Sequence, residues 1–139
     1  MDCRFCNLSR DAILLESNGW QVVADLHPST DGHVLVIPKK HYEVLHEVPK
    51  EELTEGMELV KQCQLVLLRG LNAKGTQIRN NYVPFVNENA YVVRHLHLHV
   101  IPFYEPQDFK QLHNRKELTP QILEKLKLIF KEYDKQARL

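Results

Sequence analysis

Arg94-His95-Leu96-His97-Leu98-His99-Val100-Ile101-Pro102 is the stretch on which the fold turns. Histidine alternates with leucine, and a branched apolar pair follows. Side chains of a β-strand point to opposite faces with a period of two. A strand here puts all three imidazoles on one face and Leu96, Leu98 and Val100 on the other. Successive imidazoles then stand about 6.5–7 Å apart, a spacing suited to successive contacts with one ligand. Histidine titrates near neutrality, attacks as a nucleophile and ligates metals. A sheet face carrying three of them calls for a chemical reason.

The flanking sequence supplies more strands. Ala12 to Leu15 and Trp20 to Ala24 read as a hairpin around Ser17-Asn18-Gly19. Pro28-Ser29-Thr30-Asp31-Gly32 is a second turn, leading into a β-branched strand from His33 to Ile37 that Pro38 ends. Residues 50 to 69 read as one long helix, opened by Pro49 and Glu51-Glu52 and closed by Gly70. Its apolar face carries Leu53, Met57, Val60, Leu67 and Cys63 or Gln64, with Gly56 interrupting at a cost of about 1 kcal/mol relative to alanine. Thr76 to Tyr82 is the next strand, followed by an irregular loop through Pro84 and Asn89; the histidine strand is expected from Tyr91 to Phe103. Thr119 caps and Pro120 opens a last helix, about 119–136, with Ile122, Leu126, Ile129, Phe130 and Tyr133 on one face. Strands clustered in sequence with helices interposed predict an α+β fold: a mainly antiparallel sheet of about five strands, one long central helix and a C-terminal helix.

Composition narrows the function. The 139 residues suit a single domain spanning 1–139. Eighteen Lys and Arg balance eighteen Asp and Glu, so no basic field points to bulk nucleic-acid binding. No apolar run approaches the roughly 18 residues of a membrane span, and Met1-Asp2-Cys3-Arg4-Phe5-Cys6 lacks the apolar stretch of a secretory signal. Three cysteines, two of them three residues apart, argue against a disulfide scaffold and for a reducing cytoplasm. Cys3-x-x-Cys6 is half of a tetrahedral zinc site, and its redox alternative loses ground because no βαβ unit follows.

The run from His95 to Ile101 resembles the signature of the histidine triad (HIT) family, His-φ-His-φ-His-φ-φ with φ apolar, at every position. The segment from Asp25 to His41, which contains Gly32-His33-Val34-Leu35-Val36-Ile37-Pro38, is similar to the family's first nucleotide-binding segment. Pro102 and Cys3-x-x-Cys6 match a zinc-containing branch, and these motifs together cover most of residues 1 to 105. The resemblance implies a HIT-like fold, usually a homodimer, acting on a nucleotide.

It also implies roles for particular residues. The central His97 would attack the α-phosphorus to give a nucleotidyl-histidine that water resolves. His99 would bind phosphate oxygens and stabilise developing charge, with His33 helping to hold the imidazole or the phosphate. Asp25 would read the ribose hydroxyls, since a carboxylate accepts two donors at once. Among Asn80, Asn81 and Asn87, Asn81 is the preferred phosphate neighbour. Where many relatives carry Gly-Gln, this chain has Ala90-Tyr91, so Tyr91 either donates its hydroxyl or fills the pocket with its ring. Structural zinc, in an N-terminal element over residues 1–8, would be held by Cys3, Cys6, His95 and His41, with His46 as the rival to His41. Cys63 reads as a buried hydrophobe, and His27 and His113 are placed on the surface.

Three functions stand. The first is a nucleotide hydrolase or transferase acting on a phosphoramidate, a dinucleoside polyphosphate or similar derivative, with no metal required for the chemistry. The second is a catalytically weak nucleotide-binding module, motivated by Ala90-Tyr91. The third is a metal protein whose three triad histidines hold the ion, which leaves the segment from Asp25 to His41 without a purpose.

Overall fold

The computed structural model describes residues 3–137, with side chains placed through Asp134. Five strands form one antiparallel sheet in the order β1-β2-β3-β5-β4, where β1 is Ile13–Glu16, β2 Trp20–Ala24, β3 Val34–Pro38, β4 Gly75–Arg79 and β5 Leu98–Phe103. Two long helices, α1 (Lys50–Gly70) and α3 (Pro120–Ala137), and the short α2 (Pro106–Lys110) complete it. The α+β architecture is the one the strand and helix patterns predict.

The pleat sorts the side chains into two layers. Trp20, Val22, Ala24, Val34, Val36, Leu98 and Val100 face the helices and join Val60, Cys63, Leu67, Leu126 and Phe130 in the main core. Val23, Leu35 and Ile37 point the other way and pack under Phe5. In register, Val34 pairs with Val100, Leu35 with His99 and Val36 with Leu98, so β5 gives its apolar residues to the helices and His99 to the opposite face. Thr119 Oγ1 accepts the Ile122 N–H at 3.2 Å, the N-cap of α3.

Three local expectations are corrected. Gly56 is no tolerated interruption: a Cβ there would lie 2.5 Å from the indole of Trp20, whose Nε1–H donates to the Glu52 carbonyl at 2.7 Å. Met57 is 39% exposed, and Leu59 and Val66 take the helix face instead. The strand expected over Thr76 to Tyr82 runs Gly75–Arg79 instead, and Asn80 to Tyr82 leave the sheet.

The histidine segment differs most. Only Leu98–Phe103 is strand; Tyr91 to His97 bends at Tyr91, Arg94 and His95 and does not pair with β3. The cause is Pro38, the last residue of β3, which has no N–H to offer a ladder partner beyond Leu98. The Leu96 N–H turns instead to the Tyr42 carbonyl at 2.6 Å. His95 and His97 therefore sit at the end of the sheet, where their orientation is set by separate hydrogen bonds.

Candidate functional site

Each triad histidine is oriented by one backbone carbonyl or one neighbouring ring, and these contacts define its tautomer. His95 Nε2–H donates to the Pro38 carbonyl at 2.8 Å, so its Nδ1 carries a lone pair. That Nδ1 lies 3.3 Å from Cys3 Sγ, 3.4 Å from Cys6 Sγ and 3.1 Å from His41 Nδ1, and Cys6 Sγ is 3.2 Å from His41 Nδ1. A tetrahedral zinc ion at ordinary Zn–S and Zn–N lengths separates its donors by about 3.3–3.8 Å. Two sulfurs and two imidazole nitrogens at these separations fit that ion. His46, exposed on the following 3-10 turn (Leu45–Glu47), stands outside the group.

His97 is oriented by its own segment. Its Nδ1–H donates to the His95 carbonyl at 2.7 Å, which leaves Nε2 as a lone pair. Among the described residues nothing hydrogen-bonds that Nε2. The Phe5 ring stands edge-on to the imidazole at 5.0 Å between centroids, and the His99 ring lies 4.9 Å away. Burial, more than any other cause, holds His97 below the ordinary histidine range and therefore neutral near pH 7.

His33 and His99 form the third unit. The Ser29 N–H donates to His33 Nδ1 at 3.0 Å, so the proton of His33 is on Nε2. That Nε2–H donates to His99 Nδ1 at 2.8 Å, with Asp25 Oδ2 at 3.3 Å beside it. His99 is left with Nε2–H as its free donor. Burial pushes His33 down to about 3 and His99 in the same direction, with Arg115 and Arg79 adding positive charge around His33. Asp25 is itself buried; its Oδ1 accepts the His27 N–H at 2.8 Å and its Oδ2 meets Arg115 Nη1 at 3.2 Å.

His97, His99 and Asp25 line a cavity of about 210 Å³. Phe5, Leu8, Ala12, Val23 and Leu35 give it an apolar floor, and Arg4, His27, Tyr91 and Arg115 its rim. The arrangement offers an unprotonated nitrogen, an N–H donor next to it, and a carboxylate beside an apolar slot. Such a set can attack an electrophilic centre, hold an oxyanion and seat a flat, partly polar ligand.

Asn81 is exposed and lines an adjoining cavity of about 270 Å³ with Tyr82, Tyr91, His95 and His97, away from Asp25 and His99. Tyr91 borders both cavities and is 51% exposed, so its ring narrows the entrance without filling it. His27 is not a bare surface residue: it is half-buried, lines the site and stands edge-on to Tyr91 at 5.3 Å. His113 is exposed and Cys63 fully buried, as expected.

Arg115, Arg4 and Phe5 are the residues that sequence reasoning missed. Arg115 arrives from the loop after α2, whose backbone is tied down by Lys116 N–H to the Pro28 carbonyl and Leu118 N–H to the Leu26 carbonyl. Its guanidinium donates to the His27 carbonyl at 2.6 Å and lies 5.3 Å from the Tyr91 ring centroid. No local pattern announces it. Arg4 and Phe5 did carry a signal: enclosed by Cys3 and Cys6, they must lie beside His95 once those four ligands converge.

Comparison with known proteins accords with this geometry. The HIT domain model matches residues 8–106. An uncharacterised HIT-like protein of Methanocaldococcus jannaschii is 35% identical over 107 residues, covering 74% of this chain and 80% of that protein. The adenosine 5′-monophosphoramidase of Saccharomyces cerevisiae is 30% identical over 104 residues, covering 72% of this chain and 61% of the yeast protein. A zinc-bound histidine triad family protein from Mycobacterium smegmatis superimposes with a TM-score of 0.78 at 26% identity, covering 98% of each chain.

Proposed function

The chain belongs to the HIT domain family, and on that footing we propose that it is a nucleotide hydrolase or transferase that cleaves at an α-phosphorus through a nucleotidyl-histidine. The observation that carries this reading is the His97 Nδ1–H bond to the His95 carbonyl, which leaves Nε2 unprotonated at the cavity wall. In the first step the Nε2 lone pair forms an N–P bond while the bond from phosphorus to the leaving group breaks, its electron pair going to the leaving atom; a phosphate leaves as the anion, and an amine takes up a proton from solvent. His99 Nε2–H holds a non-bridging oxygen as negative charge builds on it. In the second step water attacks phosphorus and gives a proton to solvent, the N–P bond breaks with its electron pair returning to Nε2, and a nucleoside monophosphate departs with His97 neutral again. The ion pair of Asp25 with Arg115 keeps one carboxylate oxygen occupied, so ribose hydroxyls share Asp25 with Arg115. Asn81, on the adjoining cavity, would meet the outgoing group.

Cys3, Cys6, His41 and His95 would hold zinc in a closed, structural site. The bound ion would join the N-terminal turn to the histidine segment and keep the His95 carbonyl aimed at His97. A homodimer is part of the same proposal. Among the described residues no helix is long and apolar enough to cross a membrane.

Mass spectrometry tests the reaction. Protein mixed briefly with adenosine 5′-phosphoramidate and quenched in mild alkali should gain the mass of an AMP group, and His97→Ala should not. Release of AMP without an adduct on either protein would remove His97 as nucleophile. Bound nucleotide with neither adduct nor AMP would make the chain a binding module, with Tyr91 at the cavity mouth as the first residue to replace.

A further inference from the structure

The Cys6 N–H donates to the Cys3 carbonyl at 3.1 Å, the closing bond of a β-turn. The first and fourth residues of such a turn keep their Cα atoms within about 7 Å, and a disulfide asks for about 4.4–6.8 Å. Both sulfurs point the same way, since they lie 3.3 and 3.4 Å from His95 Nδ1. Two sulfurs that share one nitrogen across one turn can join with little movement of the backbone. Cys6 is exposed and Cys3 half-buried, so an oxidant reaches the first and the second is at hand. Cys63 is fully buried in the main core, on the helix side of the sheet, and takes no part. The turn is also a wall of the nucleotide cavity. Phe5, enclosed by the two cysteines, stands edge-on to His97 at 5.0 Å and to His95 at 6.0 Å and forms part of the apolar floor. Among the described residues, the only polar ties of residues 3–6 to distant parts of the chain are the sulfur–imidazole contacts and the Arg4 bond to the Ala90 carbonyl.

We propose that Cys3 and Cys6 are a site of reversible oxidation: a hydroperoxide joins them as a disulfide, the metal ion is released, and the cavity loses affinity for nucleotide. The proposal rests on Cys3, Cys6, His41 and His95 as the zinc ligands. As ligands the two sulfurs are thiolates, the nucleophilic form of cysteine. The Cys6 thiolate attacks one peroxide oxygen, the O–O bond breaks, hydroxide leaves, and Cys6 becomes a sulfenic acid. The Cys3 thiolate then attacks the Cys6 sulfur, the S–O bond breaks, and a second hydroxide leaves. Two thiolates and one hydrogen peroxide thus give one disulfide and two hydroxide ions; the sulfurs lose two electrons and the peroxide gains them. A disulfide offers a cation no charge, and His41 and His95 alone fill only half of a tetrahedral site. The turn then keeps only the Arg4 bond and the packing of Phe5 as its hold on the histidine segment, and the floor beside His97 loosens. Thiols reverse a disulfide, so the change is a switch and not damage.

Hydrogen peroxide is the probe. The reduced, zinc-loaded chain treated with it should release its zinc to a colorimetric chelator and fall from three titratable thiols to one under denaturing conditions. Peptide mapping should recover Cys3 linked to Cys6. Calorimetry should show the affinity for AMP reduced about tenfold, and a thiol reductant with added zinc should restore it. In Cys6→Ser the affinity for AMP should already be low and should not respond to peroxide. Three thiols and retained zinc after peroxide overturn the proposal. So do sulfinic acids in place of the disulfide, an AMP affinity unchanged once the zinc has gone, or a peroxide response that persists in Cys6→Ser. The readings beneath it fail separately. A reduced chain that binds no zinc removes the metal site, one that binds no AMP removes the nucleotide site, and either result removes this switch as well.

Discussion

Two clusters of titratable groups lie at the same end of the sheet, and they solve opposite problems. At one, Cys3, Cys6, His41 and His95 bring four lone-pair donors together, with the only ring proton of His95 pointing away to Pro38. At the other, Asp25, His33 and His99 are equally close-packed and more deeply buried. There the protons alternate: Ser29 N–H to His33, His33 N–H to His99, and Arg115 beside the carboxylate. The first cluster sets two soft sulfurs, whose thiol protons a metal ion displaces, beside two imidazole nitrogens, the donor set that suits zinc. The second is satisfied by its own hydrogen bonds and Arg115. Proximity of ligand-type residues does not make a metal site; the kind of donor, and whether its lone pairs are already spent, does.

Breaking the metal corner should have the largest effect. One zinc per chain is expected, retained in His33→Asn and His97→Ala and lost in Cys6→Ser. Because a bound ion would close a site joining residues 3 to 95, its removal by chelation or by Cys6→Ser should lower Tm by about 10 °C or more. Elemental analysis with thermal melts checks this. Zinc that survives Cys6→Ser but vanishes in His33→Asn would invert the comparison.

An intermediate effect should follow from pH. His33 is faced by Asp25, Arg115, Arg79, His97 and His99, and it stays neutral in the folded chain down to about 3, while an unfolded histidine titrates near 6.5. Between those values the unfolded chain binds the extra proton, so stability is complete above about 6.5 and is lost as pH falls toward 3. His33→Asn removes that group, and urea melts across the window should show a shallower decline than the parent, with zinc content followed in parallel. Parallel declines would mean that His33 is not kept neutral by the fold.

The smallest change concerns the ion pair. Arg115→Gln leaves Asp25 buried beside His33 without its guanidinium, at a cost of about 1–2 kcal/mol for a pair that water still partly reaches. Zinc content should not change. A loss of zinc in this variant would show that the two clusters are one unit.

Local patterns carried most of the fold. Alternation marked β5, β-branched residues marked β3, and turn residues set off β1 and β2. Thr119-Pro120 located the start of α3 within a residue. The histidines, Asp25 and both cysteines were legible for the same reason: each sits in a motif whose spacing has a chemical meaning. Gly56 was misread because its importance lies in Trp20, 36 positions away in the chain, pressing on its Cα. The histidine strand was drawn too long because pairing depends on the partner strand, and β3 ends at Pro38.

By itself, then, the sequence determined the α+β class, the alternating histidines and the Cys-x-x-Cys element, which are written in short-range periodicity and spacing, while the family resemblance, not periodicity, pointed to the segment from Asp25 to His41. Only the tertiary structure decided which histidine nitrogen carries each proton, that His41 rather than His46 faces the cysteines, and that Arg115 and Arg4 reach the cavity. Those outcomes depend on which carbonyl, ring or carboxylate packing brings within about 3 Å, and hydrogen bonds at that range join groups that chain position alone does not relate.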